Sequence, residues 1–215
     1  MSHVISMKTV DLDRTLSYVR GGELTDRQEQ VLDTARERAR AAQHSLDHQG
    51  VDRGLTVPEA LEHLVSGRAD ATGDCAGNAY YAALLAVIEC TGSDAVDVGV
   101  YSKPSTFFGL MGDELRSLGV PSDMLPHKFL YADLPGLLPY RVPTPMDGYP
   151  AIGHLPLNRA KAVADAYTAV LPRLGDEFTY DTEHLVDLLT VEHEEWQASQ
   201  KYGHTADTIV FWIQG

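Results

Sequence analysis

The fold class is decided by one stretch of sequence, Thr208-Ile209-Val210-Phe211-Trp212-Ile213. Its residues are all β-branched or aromatic and none is charged, which is typical of a buried strand. Residues 3–10 are also partly β-branched, and we predict that they pair with residues 207–213 in one small mixed sheet. The remaining pattern lacks the strict alternation of strand and helix that a doubly wound nucleotide-binding fold needs. The sequence therefore predicts a single α+β domain over residues 1–215.

Capping residues mark the starts of several helices. Asp11, Thr25 and Thr56 each precede a segment with helical spacing, and each can accept a hydrogen bond from a backbone N–H of the first turn. Asp74 is predicted to cap a further helix, which is apolar on nearly every side and is therefore expected to be buried. The predicted helices cover residues 12–20, 26–48, 57–66, 75–89, 106–118, 157–171 and 181–202.

The middle of the chain is predicted to contain a central strand, residues 96–101, and a short extended segment, residues 129–131. Eight of the eleven prolines fall between Pro121 and Pro156. Because proline fixes φ and removes a backbone donor, this density is expected to exclude regular elements there. Long segments of that kind are usually packed or functional loops. We therefore expect residues 121–156 to form such a loop.

Charge restricts the possible partners. The chain has 17 basic and 31 acidic residues, a formal net charge of -14. Nucleic acids and anionic membranes are not expected as partners, because binding to them depends on Lys and Arg side chains that neutralise phosphates. No apolar run approaches the ~18 residues of a membrane span, and no secretory leader is recognisable. These features predict a cytoplasmic protein with reduced cysteines.

The acidic residues are concentrated in residues 174–215, which carry nine acids and a single Lys or Arg, Lys201. Such a surface can steer a basic protein partner towards itself. The sequence therefore predicts a docking surface on the C-terminal helix that includes Glu192, Glu194 and Glu195. A helix face that is acidic only because it is solvated would show the same pattern, and the sequence leaves that alternative open.

The segment Gly73-Asp74-Cys75-Ala76-Gly77-Asn78 places a cysteine in the first turn of a predicted helix, where the helix dipole stabilises a thiolate. The pattern is similar to the nucleophile turn of transglutaminase-like cysteine enzymes. An enzyme of that kind needs a base and a residue that orients the base, and His127 is nominated as the base, with Asp133 or Asp147 to orient it. A small buried cysteine that opens a core helix is the alternative.

A second group of candidate residues lies in residues 143–156. Asp147, Tyr149 and His154 offer a carboxylate, a phenol and an imidazole on backbone stiffened by proline, which favours a binding site for a small molecule. The alternative is a connecting loop with a turn at Asp147-Gly148 and a packed Tyr149. No metal site and no cofactor are predicted, because the sequence has no His-Glu-x-x-His motif, no Cys pair at zinc spacing and no glycine-rich phosphate loop.

Three segments resemble the uncharacterised YfbM-like family of small bacterial proteins. They are residues 1–10 leading into a leucine-bearing helix, the segment Leu155-Pro156-Leu157 with Val163-Ala164-Asp165-Ala166-Tyr167, and residues 180–202 followed by residues 208–213. The resemblance implies a bacterial α+β single domain of unknown activity, and it brings no catalytic residues. Residues 50–150 lie outside it.

Two functions follow as hypotheses, and a small-molecule pocket between the loop of residues 121–156 and the buried helix of residues 75–89 is a third. The first is a cytoplasmic binding module without catalytic activity, an accessory or immunity-type protein whose acidic surface docks on a basic protein partner. The second is a cysteine-dependent acyl transferase or hydrolase, with Cys75 as the nucleophile and His127 as the base.

Overall fold

The structure is a computed structural model that describes residues 2–52 and 54–215. Within those residues the chain forms eight α-helices and one four-stranded antiparallel sheet, which confirms the predicted α+β class. The strands are β1 (His3–Val10), β2 (Val96–Tyr101), β3 (Ala151–Pro156) and β4 (Thr208–Gln214). The helices are α1 (Leu12–Ser17), α2 (Asp26–His48), α3 (Val57–Val65), α4 (Ala76–Glu89), α5 (Pro104–Ser117), α6 (His127–Leu130), α7 (Leu157–Thr168) and α8 (Asp176–Gln200).

The strand order in the sheet is β2-β1-β4-β3, so the two terminal strands are neighbours, as predicted. β1 pairs with β2 in antiparallel register, with His3 opposite Tyr101 and a register shift between Ile5 and Ser6. β4 is buried from Thr208 to Ile213, since it has a partner strand on each side and apolar side chains on both faces.

The prediction that residues 96–101 form a central strand is wrong in position. β2 lies at an edge of the sheet, and its neighbour there is β1. Val96 and Val100 are 39% and 66% exposed, whereas Val98 is buried. A run rich in valine indicates a strand, but β-propensity alone does not distinguish an edge strand from a central one.

Two predictions within residues 121–156 are also wrong. β3 is a regular strand in this proline-rich region, and residues 129–131 are not an extended segment, because α6 covers most of them. The positions of the prolines permit both elements. Pro150 and Pro156 lie at the ends of an edge strand, where no interior donor is lost, and Pro126 directly precedes α6.

The predicted N-caps of α1, α2 and α3 are confirmed. The backbone N–H of Arg14 donates to Asp11 Oδ1 at 3.0 Å. Thr25 and Thr56 each form a complete capping box with the residue three positions further along.

Three other helix starts differ from the prediction. α5 begins at Pro104 rather than at residue 106, and its N-cap, Lys103, makes no side-chain capping bond. α4 begins at Ala76, with Cys75 rather than Asp74 at the N-cap and no side-chain capping bond. α8 begins at Asp176 rather than at residue 181, and its N-cap is Gly175. These starts lack a capping side chain, although α7, which also lacks one, begins at Leu157 as predicted.

The chain divides into two compact units. The first, which we call the sheet unit, comprises the chain up to Thr9, Asp94–Ala132 and Gly153–Gly215, and it contains most of the sheet together with α5–α8. Its fully buried side chains include Ile5, Met7, Phe108, Phe129 and Phe211. The rings of Phe129 and Phe211 pack with their centroids 5.3 Å apart.

The second, which we call the helical unit, comprises Val10–Ser93 and Asp133–Ile152 and contains α1–α4. α2 and α3 pack against each other and against α4, whose residues are buried on nearly every side, as its apolar pattern predicts. The side chains of Leu16, Leu32 and Tyr80 belong to this core. That the whole chain is a single domain stays a prediction. None of the helices in the described part is both long and apolar enough to cross a membrane.

Candidate functional site

Helix α8 presents a continuous acidic face. The exposed acids on this face form what we call the acidic stripe: Asp176, Glu177, Glu183, Asp187, Glu194 and Glu195. At 3.6 residues per turn, these positions fall within about a third of the helix circumference. The stripe therefore runs along most of a helix of 25 residues.

The opposite face of α8 is buried and holds the helix in place. Leu185 and Leu189 are at most 1% exposed, and α8 packs against α7. His193 Nδ1 lies 3.0 Å from the carbonyl oxygen of Leu157, the first residue of α7, and donates a hydrogen bond to it. The stripe is thus presented on a helix whose orientation is fixed by its own unit.

No acid of the stripe forms an ion pair within residues 2–52 and 54–215. The ion pairs there use carboxylates outside α8: Asp13, Glu29, Asp33, Glu62, Asp70, Glu89, Asp113, Asp123 and Asp165. The basic side chains that form ion pairs therefore do so with carboxylates outside the stripe. In this described part of the chain, no ion pair compensates the negative charge of the stripe.

Two large apolar side chains are exposed within the stripe. Tyr180 is 76% exposed and Val191 is 49% exposed. The Tyr180 ring stacks against the His184 ring, with centroids 6.5 Å apart and planes inclined by 13°. An exposed aromatic side chain surrounded by charged residues matches the usual anatomy of a protein-binding surface, in which aromatic anchors lie inside a polar rim.

Of the three predicted docking residues on this helix, two lie on the stripe and one does not. Glu194 and Glu195 are exposed on it, whereas Glu192 lies on its flank and is half-buried. Burial, and then the charge of Glu195, raise the pKa of Glu192 above its usual value. Tyr180 and Asp176 lie before the helix predicted over residues 181–202, so the sequence does not predict them as members of this face.

The Gly73–Asn78 segment has a clear structural role in the helical unit. A Cβ on Gly77 would lie 2.1 Å from the carbonyl oxygen of Thr144, so only glycine permits this approach of the chain. Asn78 is 5% exposed, and its Oδ1 accepts from the backbone N–H of Met146 at 3.2 Å. The motif thus anchors the loop of residues 143–150 on the first turn of α4. The sequence had not predicted Asn78 as an anchor, because a long-range partner leaves no local signal.

Asp147 and Tyr149 belong to the same anchored loop. Asp147 Oδ1 accepts from Asn78 Nδ2 and from the backbone N–H of Tyr149, both at 3.1 Å. The carbonyl oxygen of Tyr149 accepts a second hydrogen bond from Asn78 Nδ2, at 2.8 Å. His154 lies on β3, in the sheet unit. That these three side chains bind a small molecule stays a prediction, and one oxygen of Asp147 is already used to hold the loop.

The three nominated catalytic residues are divided between the units. Cys75 is a half-buried free cysteine at the N-cap of α4, and Asp133 accepts a hydrogen bond from the Tyr81 hydroxyl at 3.0 Å, both in the helical unit. His127 opens α6 in the sheet unit. Cys75 is partly accessible, so it is not the small buried cysteine of the alternative interpretation. A catalytic arrangement of these residues stays a prediction.

The surroundings of His127 lower its basicity. Its Nδ1 is buried and has no hydrogen-bond partner among the described residues. Burial, followed by the positive charges of Lys128 and Arg116, lowers the pKa of His127, and Asp113 opposes them weakly. A Cβ on Gly112 would lie 3.2 Å from this nitrogen, so α5 covers the ring closely.

A cleft of about 430 Å³ lies in the helical unit; it is lined by Arg36, Arg40, Pro58, Glu59, Glu62, His63 and Arg68. Many of these charges are already engaged. Arg36 Nε is 2.8 Å from Glu62 Oε1, and the hydrogen bonds that Arg36 donates to Glu62 and to Asp33 raise the pKa of Arg36, against the effect of burial. Glu59 is engaged in its capping box. We therefore interpret this cleft as an ion-paired surface.

Among the described residues, no three His, Cys, Asp or Glu side chains come together as a group that could hold a metal ion.

No curated protein and no solved structure matches the chain. The resemblance to the YfbM-like family stays a prediction. The sequence model of one family matches residues 1–213. Because that match spans nearly the whole chain, the protein belongs to the family described as a domain of unknown function, DUF7691.

Proposed function

We propose that this protein is a non-catalytic binding module, and that the acidic stripe of α8 is the surface on which a basic protein partner docks. The observation that carries the proposal is that the stripe lacks ion pairs within the described chain and surrounds the exposed side chain of Tyr180. An accessory or immunity-type protein, which covers a basic effector, has this kind of surface.

The stripe carries an electrostatic cost that a basic partner would relieve. Glu183 and Asp187 lie four residues apart on the same face, and like charges at this spacing destabilise a helix by roughly 0.2–0.5 kcal/mol. A partner with Lys and Arg at matching positions would replace this repulsion with attraction. Long-range attraction of this kind mainly increases the association rate and makes it depend on salt.

The exposed side chain of Tyr180 supplies a second contribution to the binding of the partner, besides the charges of the stripe. Tyr180 offers a large surface that loses little conformational freedom on binding, and its face can contact a guanidinium group. We expect the acids of the stripe to determine mainly the association rate, and Tyr180 to determine mainly the dissociation rate. The two contributions can therefore be measured separately.

The test uses a nona-arginine peptide as the probe, and its association is followed by stopped-flow fluorescence at low and at physiological ionic strength. The stripe variant carries Glu183→Gln, Asp187→Asn and Glu194→Gln. The control variant carries Glu23→Gln, Asp26→Asn and Glu37→Gln, which changes net charge equally on exposed acids of the helical unit. We expect the stripe variant to associate about tenfold more slowly and with a weaker salt dependence, and the control to stay within about twofold.

Three further variants distinguish the residues of the stripe from their neighbours. Tyr180→Ala should increase the dissociation rate, whereas Tyr202→Ala, at a tyrosine that is 81% exposed beyond the end of α8, should not. Glu192→Gln should leave association unchanged, because Glu192 lies off the stripe. Equal loss of association in the stripe and control variants would show that only net charge matters, and it would overturn the proposal.

A further inference from the structure

We propose that His44 and His48 form a two-histidine site for a divalent late transition metal, with Cu²⁺ as the ion bound most tightly. The two residues are one turn apart on α2, both exposed, and their Nε2 atoms are 2.9 Å apart. The ring centroids are 4.3 Å apart and the planes are inclined by 77°. This juxtaposition of two imidazole nitrogens carries the proposal.

The distance between the nitrogens matches a specific coordination geometry. Imidazole nitrogens bind such metals at about 2.0–2.1 Å, so two of them at a right angle are about 2.9 Å apart. A tetrahedral angle would need a separation of about 3.3 Å. The observed 2.9 Å therefore fits neighbouring positions of a square-planar or octahedral site. Square-planar nitrogen and oxygen sites are typical of Cu²⁺ and Ni²⁺.

The protein holds these nitrogens in place before a metal arrives. The same 2.9 Å separation suits a hydrogen bond in which one ring donates its Nε2–H to the other. The proton of the donating ring moves to its Nδ1, through solvent, when a metal takes the lone pairs of both Nε2 atoms. α2 is a helix of 23 residues with a complete N-terminal capping box, and its buried side chains, among them Leu32, pack in the helical unit. The helix therefore fixes the spacing of the two backbone positions, and only the exposed rings lose conformational freedom when they bind one ion.

The remaining ligands would come from solvent or from a small molecule. Among residues 2–52 and 54–215, no third His, Cys, Asp or Glu joins a metal-binding group. A site with two protein ligands favours the divalent ion with the highest intrinsic affinity for nitrogen, and Cu²⁺ stands at the top of that series. The net charge of -14 raises the local concentration of any divalent cation.

The test is a calorimetric titration of the whole protein with Cu²⁺, and separately with Ni²⁺ and Zn²⁺, in a buffer that does not bind metals. The matched control variant carries His48→Gln together with Gln49→His. This variant keeps the number of histidines and the net charge. It moves the second histidine to a position about 140° away from His44 around the helix axis. The other seven histidines (nine less these two) are present in both proteins, so any metal that they bind appears equally in both titrations.

We expect one Cu²⁺ per chain in the wild type, with two imidazole nitrogens visible by electron paramagnetic resonance. The swapped variant should bind this ion at least about tenfold more weakly, since even the loss of an outer-shell partner costs that much. Far-ultraviolet circular dichroism confirms that the variant is folded. Equal affinity in the two proteins would overturn the proposal, and so would Zn²⁺ binding as tightly as Cu²⁺, because it would contradict the right-angle geometry.

Discussion

Asn78 Nδ2 donates a hydrogen bond to the carbonyl oxygen of Tyr149 at 2.8 Å, and this contact joins the first turn of α4 to a loop that lies 71 residues further along the chain. The same side chain also contacts Asp147 and Met146. A buried side chain that satisfies several polar groups is costly to remove, because those groups then lose their partners.

Asn78→Ala should therefore lower the free energy of unfolding by roughly 2–4 kcal/mol, since each buried group left unsatisfied costs about 1–3 kcal/mol. The measurement is urea unfolding at neutral pH. Asn158→Ala is the matched control, because Asn158 is exposed in the first turn of α7 and should change stability by less than about 0.5 kcal/mol. Equal effects of the two variants would mean that Asn78 does not anchor the loop.

Gly77→Ala should displace the loop of residues 143–150 or destabilise the helical unit. The added Cβ would lie 2.1 Å from the Thr144 carbonyl oxygen, and backbone cannot yield as a flexible side chain can. Overpacking of this kind costs about 1–3 kcal/mol or more. Gly73→Ala is the control, since nothing lies within 4 Å of its added Cβ. Thermal unfolding and proteolysis of the loop measure the difference, and two variants that melt together would contradict it.

Acid should weaken the fold through His127. Its folded pKa is lowered, so the unfolded chain takes up the proton first as the pH falls. The stability that neutral His127 contributes is present above the ordinary histidine pKa of about 6.5, and it is lost as the pH falls from there, by at most about 1.4 kcal/mol per pH unit. Urea unfolding across this range should show a shallower acid loss in His127→Gln than in the wild type. A variant at an exposed histidine, His204→Gln, serves as the control, and an acid loss that is unchanged in His127→Gln would contradict the prediction.

Alkali should unfold the protein cooperatively through its buried phenols. Burial is the first cause of a raised pKa in four tyrosines: Tyr81, Tyr101, Tyr140 and Tyr167. Their folded pKa values lie above the ordinary 10.0, so their contribution is complete below pH 10 and is lost as the pH rises further. Near-ultraviolet absorbance should show these phenols ionising only as the chain unfolds.

A single substitution checks this alkaline prediction. Tyr81→Phe removes one of the ionising groups, so the loss of stability per pH unit above pH 10 should decrease by up to about 1.4 kcal/mol. Tyr180→Phe alters an exposed tyrosine and provides the comparison. A slope that is unchanged in Tyr81→Phe would mean that this phenol ionises in the folded protein.

The parts of the fold that could be predicted from the sequence are those with local chemical signals. Thr25 and Thr56 place two helix starts correctly, because each side chain can form a capping box with a residue three positions on. Gly175 offers no such signal, and the start of α8 was missed by five residues. β3 was missed because a count of prolines ignores whether each proline lies inside a strand or at its end.

The candidate surface could be predicted in part for the same reason. The excess of acids on the C-terminal helix is a matter of composition, and it is visible without a structure. Residues that are two positions apart lie on different sides of a helix, so Glu192 does not share the face of Glu194 and lies on the flank of the stripe. The absence of ion pairs along the stripe, within the described residues, depends on tertiary positions that no sequence pattern shows.

The position of β4 between β1 and β3 sets the order in which this chain can fold during synthesis. β1 must wait for a central partner strand that is made nearly 200 residues later, at Thr208–Gln214. The helical unit is made up of residues up to Ile152, so its core can close while the sheet is still missing a central strand. Pairing over such a separation in sequence is slow. Completion of the sheet is therefore a late event, for which β1 and β3 must be kept from pairing with other chains.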